Sequence, residues 1–140
     1  MKLTSRSEYG LLAMLDLAKH SSARLVQSHE IAQRQSIPEP YLNQLLTVMS
    51  RAGLVTSRRG PGGGYLLARP AEDISVGEVV ILLEGLASNG HDESAYDRPF
   101  VQLIRKVCQE AQEAAAAVLA SVTLADLLRQ ESERALRYSI

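Results

Sequence analysis

The sequence predicts a mainly α fold with one small β-hairpin and a long helix in its C-terminal half. Three observations carry this reading. Leu42, Leu45, Leu46 and Met49 recur at i, i+3, i+4 and i+7, the period of an amphipathic helix. Two short β-prone runs, 54–57 and 65–68, flank a turn holding four glycines and one proline, which reads as a hairpin. Ile104, Cys108, Ala111, Ala115, Val118 and Val122 alternate steps of four and three residues, a heptad seam whose small central residues would let a partner helix approach closely.

Each element follows from local chemistry. Ser5-Arg6-Ser7-Glu8 matches a capping box, in which hydroxyl and carboxylate satisfy each other's orphan amides, so a first helix is expected near 6–20. Tyr9, Leu12, Ala13 and Leu17 form its stripe. Ser28 suits the N-cap of a short helix reaching about residue 34, with Ile31 and Ala32 inward. A break at 35–37 precedes Pro38 and Pro40, which open a further helix over 41–52 because first-turn amides need no partner. Gly53 is placed to end it in the left-handed conformation. Two short helices across so tight a break describe a helix-turn-helix, and the hairpin behind it makes a wing.

Ser75-Val76-Gly77-Glu78 is a second capping box for a helix ending near Glu84 and closed by Gly85. The stretch 86–99 is polar and broken by Gly90 and Pro99. A long helix is expected over 100–121, and Thr123 with Asp126 caps a last one from Leu124 to about Arg137. The expected organisation is a winged helix-turn-helix head (1–84), an effector or sensor loop (85–99), a long dimerisation helix (100–122), and a C-terminal helix packing back on the head (123–140).

Composition narrows the function. The chain has 140 residues, 46% hydrophobic and 22% charged, which excludes wholesale disorder. Its longest apolar run, 114–120, is far shorter than the roughly 18 residues a membrane span needs. The opening MKLTSRSEYG holds no apolar signal segment, and a lone cysteine forms no internal disulfide, so a reducing cytoplasm is the expected compartment. The net charge of −1 argues against a polyanionic partner only as an average. Residues 1–70 carry nine basic and four acidic side chains, residues 71–140 six basic and twelve acidic. A head at +5 joined to a segment at −6 points to one half facing a polyanion.

A major groove about 12 Å wide accepts a helix, and amide and guanidinium side chains read base edges there. Helix 41–52 offers Asn43, Gln44 and Arg51 on its polar face, with Thr47 and Ser50 as lesser donors. Alone this would read as an ordinary solvated face. Arg58 and Arg59 at the hairpin tip change that, because an arginine on a thin β-tip can enter a narrow minor groove. The glycines are not a nucleotide loop: Tyr65 stands where G-x-G-x-x-G needs its last glycine, and no Gly-Lys-Ser/Thr follows. His91, Asp92, Glu93 and Asp97 could bind a hard or borderline cation, against the plainer reading of a solvated acidic loop. Cys108 reads as a small buried hydrophobe, with a cross-dimer redox switch as the alternative. His20 and His29 show no partner pattern and read as surface residues.

Taken together, MKLTSRSEYGLLAMLDLA, IPEPYLNQLL and GLVTSRRGPGGGYLLARP, with SVGEVV and TLADLL, resemble the IscR/NsrR/CymR-type (Rrf) winged helix-turn-helix regulators of bacteria over nearly the whole chain. The resemblance implies a homodimer with crossed long helices, bound to a palindromic double-stranded DNA operator as a transcriptional regulator, with repression expected. It places Tyr41, Asn43 and Gln44 on the recognition helix and Arg59, beside Arg58 and Gly60, on the wing. Ser5 and Ser28 fall near expected phosphate contacts at helix N-termini. One departure matters. Members that sense iron–sulfur status carry three cysteines in the loop before the long helix, and GLASNGHDESAYDRPF has none. No iron–sulfur cluster is therefore expected, and this looks like the cluster-less branch, answering to a regulatory protein or small-molecule effector. No enzyme activity and no membrane partner are expected. The competing readings are a winged helix kept as a protein-interaction module, or a regulator sensing redox through Cys108 or a metal through the 86–99 loop.

Overall fold

The structure, a computed structural model of the single chain, describes residues 2–85 and 98–139. Its elements run α1 (Ser5–His20), α2 (Ser28–Gln35), α3 (Glu39–Arg51), β1 (Val55–Arg58), β2 (Gly64–Leu67), a 3₁₀ turn (Ala71–Asp73), α4 (Val76–Glu84), α5 (Pro99–Ala120) and α6 (Leu124–Tyr138). Mainly helical with a two-stranded antiparallel hairpin, this is the winged helix-turn-helix that the sequence predicts, followed by a long helix. No helix among the described residues is long and apolar enough to cross a membrane.

One apolar core joins the head. Met14 and Leu17 of α1, Ile31 of α2, Leu42, Leu45, Leu46 and Met49 of α3, and Val79 and Val80 of α4 are fully buried in it. Leu124 of α6 enters the same core. At about 1.5–3 kcal/mol for each large side chain taken from water, burial is what holds these short helices, too short to persist alone. The hairpin pairs Val55 with Leu67 through Arg58 with Gly64, so β1 lies one residue later than the 54–57 run and β2 one residue earlier than 65–68.

The helix ends correct three expectations. Thr4, not Ser5, caps α1: its hydroxyl accepts the Ser7 N–H at 3.2 Å. Glu8 does not reach back. Glu84, at the far end of α4, takes that role by accepting the Thr4 N–H at 3.1 Å and the Thr4 hydroxyl at 2.8 Å. Gln27, not Ser28, is the N-cap of α2, because the Glu30 carboxylate accepts its N–H at 2.8 Å. Ser75 caps α4 through the Glu78 N–H at 3.1 Å, but the Glu78 carboxylate turns to Arg69 instead of closing a box. Thr123 and Asp126 do form a capping box, and Gly53 and Gly85 adopt positive φ after their helices.

The junction between head and long helix is tight. Val76 N–H bonds to Val122 O at 2.8 Å and Leu124 N–H to Ile74 O at 2.9 Å. A Cβ on Gly77 would lie 2.9 Å from the Ala120 nitrogen, so only glycine lets α4 and α5 approach there. This removes Val122 from the heptad seam. The helix has ended at Ala120, and Val122 packs against the head core.

The remaining seam positions sit on open helix. Ile104 and Val118 are 63% and 65% exposed, Ala111 is exposed and Ala115 half-buried. Cys108 is exposed in the single chain, on the same face of α5 as the other seam positions, so the burial expected of it depends on a second copy.

Candidate nucleic-acid interface

The C-terminal half of α3, the N-terminus of α2 and the hairpin enclose one open groove of about 710 Å³. From α3 come Thr47, Ser50 and Arg51, and from the wing Ser57, Arg58, Arg59 and Gly60. Gln27 and Ser28 close its third side. Six predicted residues, Ser28, Thr47, Arg51, Arg58, Arg59 and Gly60, thus meet at one place although 32 positions separate the first from the last.

Local geometry explains the arrangement. The buried leucines turn the opposite face of α3 outward, leaving Asn43, Gln44, Thr47 and Arg51 exposed. The Thr47 hydroxyl donates back to Asn43 O at 2.9 Å, and Ser50 to Val55 O at 3.2 Å, so these two anchor the helix and strand. The amide ends of Asn43 and Gln44 make no bond to a described residue. The wing is held against the head where Val26 and Tyr65 exchange two backbone bonds, at 3.0 and 2.7 Å. A Cβ on Gly64 would meet Val26 O at 2.7 Å, so the glycine allows that clamp.

The cationic side chains around the head differ in what holds them. Arg6, Lys19, Arg24, Arg34 and Arg69 are tied down, to Leu83 O, Glu131, Glu30, Asp16 and Glu78. Arg51, Arg58 and Arg59 are exposed and have no partner among the described residues. All three border the groove.

Other predicted residues lie elsewhere. Tyr41 is half-buried, its ring packed edge-on against Tyr9 at 5.8 Å, and so helps hold α3 on α1. Ser5 is exposed in the first turn of α1, away from the groove, where Glu84 already supplies a negative charge. Hydrogen bonds from Ser7 and then Thr4 hold the Glu84 carboxyl below its ordinary range. His29 is exposed and His20 half-exposed. His91, Asp92, Glu93 and Asp97 lie outside the described residues.

Gln27, Ser57 and Tyr65 are groove residues that the sequence reading missed. Ser57 and Tyr65 lay in the two β-prone runs already read as the hairpin, whereas the only signal for Gln27 was the β-prone Leu25-Val26-Gln27, too short for its alternation to be read.

The family model described as "Rrf2: Iron-dependent Transcriptional regulator" matches residues 3–130. Protein rrf2 of Nitratidesulfovibrio vulgaris is 44% identical over 135 residues, covering 94% of this chain and 90% of that protein. The regulator IscR of Cereibacter sphaeroides is 46% identical over 93 residues, 65% of this chain and 60% of that one. The chain thus spans well over half of that IscR and about half of the Escherichia coli IscR proteins it matches. Among solved structures, T. potens IscR superposes with a TM-score of 0.79 at 38% identity, over 96% of this chain and 90% of that one. CymR (YrzC), the global cysteine regulator of B. subtilis, gives 0.66 at 35% identity, over 91% and 95%. The chain belongs to the Rrf2 family of winged-helix transcription regulators.

Proposed function

We propose that this chain regulates transcription as a homodimer on a two-fold operator, with the polar stripe of α3 in the major groove and the wing tip in the neighbouring minor groove. One observation carries the DNA contact: Arg51, Arg58 and Arg59, without a partner among the described residues, converge on one groove, while Lys19, Arg24, Arg34 and Arg69 pair with carboxylates elsewhere. A solvated surface gives no reason for that sorting; a phosphate backbone does. The same sorting disfavours a pure protein-interaction module.

The second copy is supported by Phe100, Leu103, Ile104 and Val107, an i, i+3, i+4, i+7 face of α5 exposed between 59% and 81%. Repression is the proposed mode because blocking a promoter needs nothing beyond the bound dimer. The protein acts in the cytoplasm, where its DNA lies, and catalyses no reaction.

A thiolate-held iron–sulfur cluster does not fit the donors present, since the chain supplies one thiol, Cys108. A partner protein or small effector then supplies the signal. The test is duplex binding across a salt series. Affinity should fall steeply and linearly on logarithmic axes as counterion release is opposed. Weak, salt-insensitive binding to every duplex would retract the reading.

A further inference from the structure

Asp16, the partner of Arg34, is a charged side chain in the core, outside the groove. Its carboxylate is 0% exposed, yet three donors meet it. Arg34 Nε reaches Oδ2 at 2.9 Å and Arg34 Nη2 reaches Oδ1 at 2.8 Å, a two-pronged pair. Gln35 Nε2 adds a third bond to Oδ2 at 2.9 Å. Both donors stand in the last turn of α2, immediately before the turn that leads into α3.

Burying such a pair is weak evidence for stability, because apolar side chains of similar volume often serve as well or better. What a two-pronged pair adds is direction. Direction is what α2 lacks. It has eight residues, and Ile31 is its one buried side chain. A single apolar anchor holds a helix down without fixing its rotation or tilt, since hydrophobic burial is non-directional. Asp16 on α1 supplies a second fixed point, one turn further along. The Val26–Tyr65 clamp then ties the other end of α2 to the wing.

We propose that Asp16 is a positioning residue for DNA recognition, acting through Arg34 and Gln35 to set the angle of the helix-turn-helix. Through them it places Ser28, α3 and the wing on one surface. The proposal rests on the DNA reading above and concerns how operator is told from other duplex.

The probe is a duplex selected by the wild-type chain from a random pool, measured beside an unselected duplex of equal length. The double variant Asp16→Leu/Arg34→Met replaces the pair with apolar volume. It should melt as a folded protein, keep the wild-type salt slope, and lose at least tenfold in the ratio of selected to unselected affinity. Arg34→Lys keeps the charge and loses the fork; its ratio should fall at least threefold, and it serves if the double variant does not fold. An unchanged ratio in a folded variant overturns the proposal. So does an equal loss on both duplexes, which would make Asp16 a purely structural residue. Absence of salt-dependent binding by the wild-type chain would retract the DNA reading itself and the proposal with it.

Discussion

At Arg59 the guanidinium has no partner within the described chain, so removing it leaves no buried group unsatisfied. Arg59→Ala should weaken operator binding by about 1–3 kcal/mol with an unchanged melting temperature, whereas Arg24→Ala, whose charge is spent on Glu30, should leave binding close to wild type. Equal effects in a binding titration would remove the wing from the contact. Asp16 behaves oppositely. Burial alone would raise its carboxyl, but hydrogen bonds from Arg34 and Gln35 and the Arg34 charge hold it below the ordinary range. The folded chain therefore binds fewer protons at this site than the unfolded chain in acid. Its stabilisation is present above the usual carboxylate pKa of about 4 and is lost as pH falls below that. Glu30, which Arg24 holds at about 2, adds in the same direction. Urea midpoints measured from pH 6 to pH 2 should fall in the wild type, and Asp16→Asn should flatten that limb; a limb of equal steepness would mean that Asp16 is not ionised in the fold.

For single elements, caps were only half legible. A capping box is a local pattern, and Thr123 with Asp126 obeys it because both partners lie within one turn. At α1 the pattern in Ser5 and Glu8 is present but unused, since Thr4 can draw its carboxylate from Glu84, brought near by packing against α4. No spacing rule sees a partner 80 residues away. The turn between α2 and α3 holds a different surprise, Ser36 at φ 55. A left-handed non-glycine residue costs about 1–2 kcal/mol, partly offset by the roughly 0.5–1 kcal/mol of extra chain entropy glycine must lose. Ser36→Gly should thus stabilise by about 0.5 kcal/mol and raise the melting temperature by a degree or two. A lower melting temperature would show that the serine makes up for its strain.

Across the whole molecule, the split of charge follows the division of labour: the basic half builds the groove, and the acidic half carries α5 and α6. Ala115 sits half-buried midway along α5. Ala115→Arg should shift sedimentation from dimer to monomer and weaken operator binding, because a long charged side chain would have to enter a helix–helix seam. A dimer that survives would place the interface on another face. The two backbone bonds at Ile74 and Val76 and the close approach at Gly77 join the end of α5 directly to the head.

Periodicity by itself determined the elements and their order. The repeat of Leu42, Leu45, Leu46 and Met49, the glycine-rich turn and the late heptad are short-range patterns imposed by backbone geometry, so they can be read in one dimension. The groove's composition was legible in part, since exposed arginines beside glycines already suggest a phosphate. Tertiary structure alone decided which cations remain free, that Val122 belongs to the head, that Tyr41 packs on Tyr9, and that Asp16 is satisfied in the core. Those outcomes depend on which distant side chains share a dry or crowded space, and charge pairing and burial act through space with no regard to separation along the chain.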